Sequence, residues 1–134
     1  MKPVDYNIRV IIKNKPLLVE ADDSGEYFIL SSEMKSDVWI DDVLYNINVP
    51  AGFITDFTSV PYSIWPLIKK LGPWNLPSIL HDYLYNVGVF DHLTTDRIFY
   101  AALTFRKVSK WRKNIIYDGL RLFSHNRWNE YRKE

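Results

Sequence analysis

The sequence predicts an α+β fold: a small N-terminal antiparallel β-sheet followed by about four C-terminal helices that include an antiparallel helix hairpin. Two observations predict it. Apolar residues recur with a period of two through the first fifty positions, and the period becomes helical from Pro61 onward. Strands followed by helices, rather than alternating with them, give segregated layers. A length of 134 residues fits one domain, with mainly strands over 1–50, a motif loop over 51–61 and helices over 62–134.

In the first part, Tyr6, Ile8, Val10 and Ile12 alternate with Asn7, Arg9 and Ile11, which reads as a half-buried strand. Leu17–Glu20 follows a Lys-Pro break, and Tyr27–Leu30 follows the turn cluster Asp22-Asp23-Ser24-Gly25. Val38–Ile40 and Val43–Asn48 flank Asp41-Asp42, the pattern of a hairpin. Val49-Pro50-Ala51-Gly52-Phe53 ends the sheet, and 54–60 reads as an ordered connecting loop. A short helix is expected over 62–71, closed by Gly72-Pro73. A second should run from about Pro77 to Asn86, with Gly88 past its end. A third should start at Thr94 or Thr95, either a good N-cap, and reach about Lys107. Ser109 can cap a fourth reaching toward Trp128, with Trp111, Ile115, Ile116, Leu120 and Phe123 on one face.

Composition narrows the chemistry. There are no cysteines, which removes disulfides, thiolate nucleophiles and cysteine metal sites together. No secretory signal is visible near Met1, and no apolar run is long enough to span a bilayer. An aromatic content of 16% implies a thick core or an adhesive surface. Net charge is +1 but unevenly spread. Residues 1–50 carry five basic and nine acidic groups, net −4; residues 104–134 carry nine and three, net +6. The basic tail, with Trp111, Arg112, Lys113, Arg121, Arg127 and Trp128, reads either as a surface for phosphate, an anionic membrane or an acidic partner, or as a solvated helix face. It matches no recognised nucleic-acid-binding motif, and specific nucleic-acid binding is not expected.

Three segments can carry chemistry. In His81-Asp82-Tyr83-Leu84-Tyr85, His81 and Tyr85 share a helix face, and Asp82 points about 100° away. His81 can act as a base near neutral pH, and Asp82 can offer oxygen to calcium or magnesium. Asp96 opens the next helix and is a second carboxylate for the same site, although the expected register sets it level with Asp82–Tyr85 and does not favour a direct His81–Asp96 bond. The loop Thr55-Asp56-Phe57-Thr58-Ser59 can deliver Asp56 to His81, with Thr55 and Ser59 as substrate contacts, or it can simply be a self-bonded turn.

These motifs carry a resemblance. Val49–Pro61, His81–Tyr85 and Asp96-Arg97-Ile98-Phe99, in that order, resemble the signature of domain-of-unknown-function family 1353, over about residues 40–128. The resemblance implies phage or prophage origin, hence a virion or the cytoplasm of an infected host, and phage structural proteins as partners. It implies no activity. More loosely, His-Asp-x-x-Tyr on one helix with Asp-Arg on the next is similar to the paired helices of secreted phospholipases that cleave the sn-2 ester. That similarity implies His81 as base, Asp82 as calcium ligand, and Tyr85 and Asp96 as orienters. The glycine-rich calcium loop and the cysteines of that family are missing here, and only Gly72 lies in the corresponding stretch.

Two classes of function follow. One is a phage-encoded, metal-assisted hydrolase of lipid or cell-envelope bonds, with His81 oriented by Asp56 or Asp96. The other is a non-catalytic virion component or interaction module, in which Thr55, Asp56, Ser59, His81 and Tyr85 lock sheet to helices.

Overall fold

The computed structural model describes residues 7–56, 64, 66–68 and 72–132. Six strands precede four helices. The strands are β1 (Ile8–Ile12), β2 (Leu18–Glu20), β3 (Phe28–Leu30), β4 (Met34–Ile40), β5 (Val43–Val49) and β6 (Ile54–Thr55); the helices are α1 (Asn75–Val87), α2 (His92–Phe105), α3 (Lys110–Phe123) and α4 (His125–Arg132). The expected α+β order is therefore present. The expected single sheet is two antiparallel sheets, in the orders β1-β4-β5 and β2-β3-β6. The helix expected over 62–71 falls largely outside the described residues; its described part holds a turn, with Ile68 N–H donating to the Ile64 carbonyl at 2.9 Å.

Alternation sets the inner face. Val10 and Ile12 of β1 are buried while Arg9 and Ile11 are exposed, and Met34, Ser36 and Val38 of β4 point the same way inward. The β4–β5 hairpin turns on Asp41 and Asp42, both at positive φ (50° and 73°). Two such central residues match the strands' right-handed twist, and aspartate tolerates the left-handed region better than most side chains. Asp41 also accepts from Asn7 N–H through its carboxylate at 3.0 Å, fastening the turn to the start of β1. β6 lies where a loop is expected. Two residues give no periodic signal, and pairing with β3 defines the strand.

The helices cover the first sheet. α2 packs on β1, and one core joins Val10, Ile12, Met34 and Val38 to Ile79, Leu80, Leu84 and Ile98. A second cluster lies behind it, where Phe99 and Leu103 of α2 meet Ile116 and Leu120 of α3 together with Ile68 and Trp74.

Helix ends explain the remaining differences. α1 begins two residues before Pro77, which sits in the first turn as expected. α2 begins before Thr94 because Asp91 is the cap: its carboxylate accepts from Thr94 N–H at 2.7 Å. At its far end, Lys107 N–H donates to Thr104 and Val108 N–H to Leu103, at 3.0 and 3.1 Å. This pair of bonds is a Schellman motif, with Val108 and Leu103 in the same apolar cluster. Lys107, at φ 61°, occupies the place glycine usually takes. The expected helix from Ser109 toward Trp128 is two helices that meet at buried Ser124. Ser109 stands at the N-cap position, but its hydroxyl accepts from Arg112 at 3.1 Å rather than capping the backbone. Among the described residues no helix is long and apolar enough to cross a membrane.

Gly88 closes α1 in the left-handed region at φ 68°, its N–H bonded to the Leu84 carbonyl, and a Cβ there would meet the Arg132 guanidinium at 2.7 Å. Gly88→Ala should therefore lose about 1–2 kcal/mol by denaturant titration, the cost of a left-handed non-glycine residue. An unchanged midpoint would show that the turn relaxes freely.

Candidate functional site

The helix hairpin brings three predicted residues together on one atom. Asp96 is completely buried, as are His81 and Tyr85. His81 Nε2 and Tyr85 Oη both lie 2.7 Å from Asp96 Oδ1. The expectation that register disfavours a His81–Asp96 bond is thus wrong. α2 begins at His92, so Asp96 sits in its second turn and falls level with the space between His81 and Tyr85. Those two are four residues apart on one face, and both reach it.

The other oxygen is equally occupied. Arg121 of α3 donates to Asp96 Oδ2 at 2.6 Å, and His92 Nε2 lies 3.3 Å from it. Burial alone would raise the Asp96 carboxyl, but hydrogen bonds from His81, Tyr85 and Arg121 outweigh it and hold the acid below the ordinary carboxylate range. The His81 ring N–H accordingly donates to a carboxylate. Tyr85 is pushed far up, first by burial and then by the Asp96 charge, so its hydroxyl stays a donor. The ring of His81 lies against Tyr85 and Phe99, with centroids at 4.3 and 4.7 Å.

A second buried acid stands beside the first. Asp82 accepts from Arg127 of α4 at 2.6 Å and from the buried Thr55 hydroxyl. Burial raises its carboxyl, and Arg127 and Thr55 offset this only in part. Asp56 lies 3.9 Å from Arg127, on the same guanidinium. β6 thus places Thr55 and Asp56 at the Asp82–Arg127 pair, and the carboxylate that meets His81 Nε2 is that of Asp96. Ser59 lies outside the described residues.

This arrangement does not fit calcium or magnesium at Asp82. Either ion needs a shell of about six or more oxygens, whereas the Asp82 carboxylate faces a cation already. Among the described residues no group of three or more His, Asp or Glu side chains is placed to hold a metal.

The tail residues divide differently from the expected outer face. Arg121 and Arg127 turn inward onto the two buried acids. Trp128 is half-buried and stacks on His92, centroids 5.1 Å apart and planes within 9°. Lys113 folds onto α2, reaching Thr104 Oγ1 at 3.0 Å and the face of Tyr100. Arg112 lies over the Trp111 ring at 4.5 Å, and of the six only Trp111, 51% exposed, faces outward.

Sequence reasoning missed His92, Ser124 and the inward turn of the two arginines. His92 Nε2 is 3.0 Å from Ser124 Oγ, and burial lowers the histidine despite the nearby Asp96 carboxylate. One signal was available: two acids inside a domain require cations, and residues 104–134 hold the basic excess.

Fold and site together define an α+β protein whose helices close over a buried His–Asp–Tyr–Arg network. Residues 32–120 match the family described as "Protein of unknown function (DUF1353)", and the chain belongs to that family. No curated protein and no solved structure matches the chain.

Asp96 predicts a specific acid response. Its lowered pKa contributes stability that is complete above the ordinary value of 3.8 and is lost as pH falls through the folded value. Asp96→Asn should cost about 3–5 kcal/mol at pH 7, as for breaking a buried ion pair. The gap between native and variant should shrink below about pH 4. His92, also lowered, adds a smaller loss beginning below its ordinary 6.5, and raised Asp82 works in the opposite sense. Urea titrations at stepped pH check this; a gap constant down to pH 2 contradicts it.

Proposed function

We propose that this protein is a non-catalytic phage component or interaction module, and that its His/Asp cluster is a structural clamp. The observation that carries this reading is the complete burial of His81 with its Nε2 bonded to Asp96. A general base must reach a proton on a substrate, while a clamp is buried with its polar groups paired. The pairing of Asp82 with Arg127 supports the same reading, because it occupies the carboxylate that metal-assisted hydrolysis would need. Phage origin is supported by the three ordered motifs.

An interaction role has its own support. In the β2-β3-β6 sheet, Val19, Ile29 and Ile54 are cross-strand neighbours on one face, opposite the face of Leu18, Leu30 and Thr55. Val19 and Ile54 are 49% and 54% exposed, and Leu17 and Tyr27 extend the same apolar row. Outward-facing apolar rows of this kind mark contact surfaces.

One observation favours a hydrolase as the second reading: His81 and Tyr85 share a single Asp96 oxygen at equal distances, an arrangement that also orients a catalytic imidazole.

The readings separate in one experiment. Native protein and His81→Gln are assayed on a soluble short-chain ester and on phospholipid vesicles with calcium, and their unfolding midpoints are compared. The clamp expects no turnover by either, and a stability loss of about 1.5–3 kcal/mol in the variant, as for a hydrogen bond to a charged group. Turnover by the native chain that disappears in a stably folded His81→Gln would overturn the clamp in favour of the hydrolase.

A further inference from the structure

Away from the clamp, a cavity of about 270 Å³ opens at the end of the helical layer, lined by Ile12, Lys15, Leu76, Phe105, Arg106 and Lys107. Its lining is mixed. Ile12 and Leu76, both buried, and Phe105 contribute apolar lining; Lys15, Arg106 and Lys107 contribute three cationic residues, and no acid is among the lining residues. None of the three cations has an ion-pair partner among the described residues. They come from two elements, Lys15 from the β1–β2 connection and the others from the end of α2. Arg106 Nε is held to the Pro73 carbonyl at 3.3 Å, just ahead of α1.

Cations at a helix C-terminus also answer the helix dipole, and Arg106 and Lys107 do so here. Two observations go beyond that. Lys15 belongs to no helix, yet it adds to the cationic lining. Lys107 takes the left-handed Schellman position, where glycine is the least strained residue. The two Schellman bonds already satisfy the Leu103 and Thr104 carbonyls, so a lysine side chain is not needed to close the helix. A strained lysine beside two other cations in an apolar-backed cavity is a design for binding an anion.

We propose that this cavity binds an amphiphilic phosphate monoester, its head among Lys15, Arg106 and Lys107 and the first part of its apolar substituent against Ile12, Leu76 and Phe105. The volume suits a head group and a short segment; ligand cavities for larger molecules begin at about 300 Å³. Such a head exists on lipids and on soluble esters alike.

The test is calorimetric titration of the full chain with hexyl phosphate, and separately with inorganic phosphate and with hexanol, followed by amide shift mapping. Expected is saturable binding of hexyl phosphate, about tenfold or more tighter than either half alone, with shifts at residues 105–107. Lys15→Gln should weaken it severalfold without moving the melting temperature. Lys107→Gly should weaken it too, yet raise the melting temperature by about 2–4 °C because backbone strain is relieved. Opposite signs for binding and stability are what a purely structural lysine cannot produce. Dihexanoyl phosphatidic acid and phenyl phosphate then compete for the same site, and the stronger competitor identifies a lipid or a soluble source. No saturable binding of hexyl phosphate, binding indifferent to both substitutions, or a Lys107→Gly that loses binding and stability together would overturn the proposal.

Discussion

The carboxylate of Asp96 is the constraint on which the helical layer depends. An ionised acid with no access to water must be met by donors on every side, or its burial costs several kcal/mol. Here the donors come from the two helices that flank its own: His81 and Tyr85 on α1 and Arg121 on α3. Each bond is directional and near 3 Å, so rotating any helix by part of a turn would strip the acid of a partner. The geometry of the hairpin and of α3 against it follows from that one side chain.

Asp82, next to His81 on α1, extends the same logic to what remains. Its partner Arg127 fixes α4, and the Thr55 hydroxyl fixes β6. Arg132 adds a bond to the Tyr85 carbonyl at 2.5 Å, capping α1 from α4. Apolar packing supplies the larger share of stability, but it is non-directional. The two apolar clusters would tolerate a sliding helix better than the two acids do. The polar groups therefore define the register that the apolar groups then fill, a division of labour known where buried polar groups specify one packing among several.

How much of this was legible from the sequence depends on the range of each interaction. Strands with a clean alternation, such as Ile8–Ile12, were readable because burial of one face leaves a local pattern. Helix ends marked by Gly88 and Pro77 were readable for the same reason. The Asp91 cap was obscured by two threonines that are equally good caps, and only the backbone decides among them. β6 has two residues and exists through its partner. The identities of His81, Tyr85 and Asp96 were evident, since such residues on helix faces invite notice. Their convergence was misjudged because moving the start of α2 by two residues changes which turn of α1 Asp96 faces. The roles of Arg121 and Arg127 were the least legible. An arginine that snorkels to water and one that turns inward read alike in sequence, and the difference lies in acids 25 and 45 positions away.

The pairing of His81 and Tyr85 on Asp96 has a physical origin that does not require catalysis. Burying one carboxylate between two antiparallel helices calls for two donors on the facing helix, one turn apart. Histidine and tyrosine at i and i+4 are long enough to reach, carry a donor at the tip, and pack their rings into an apolar layer. The same constellation arises wherever that problem is solved, whether or not a substrate follows. The residue next to His81 is paired as well: an Asp82 open to solvent and to other oxygens would offer a cation site, whereas here its carboxylate meets Arg127. In this chain α4 folds back to supply the guanidinium, and the basic tail that looks from sequence like an outward surface is in part spent neutralising the interior.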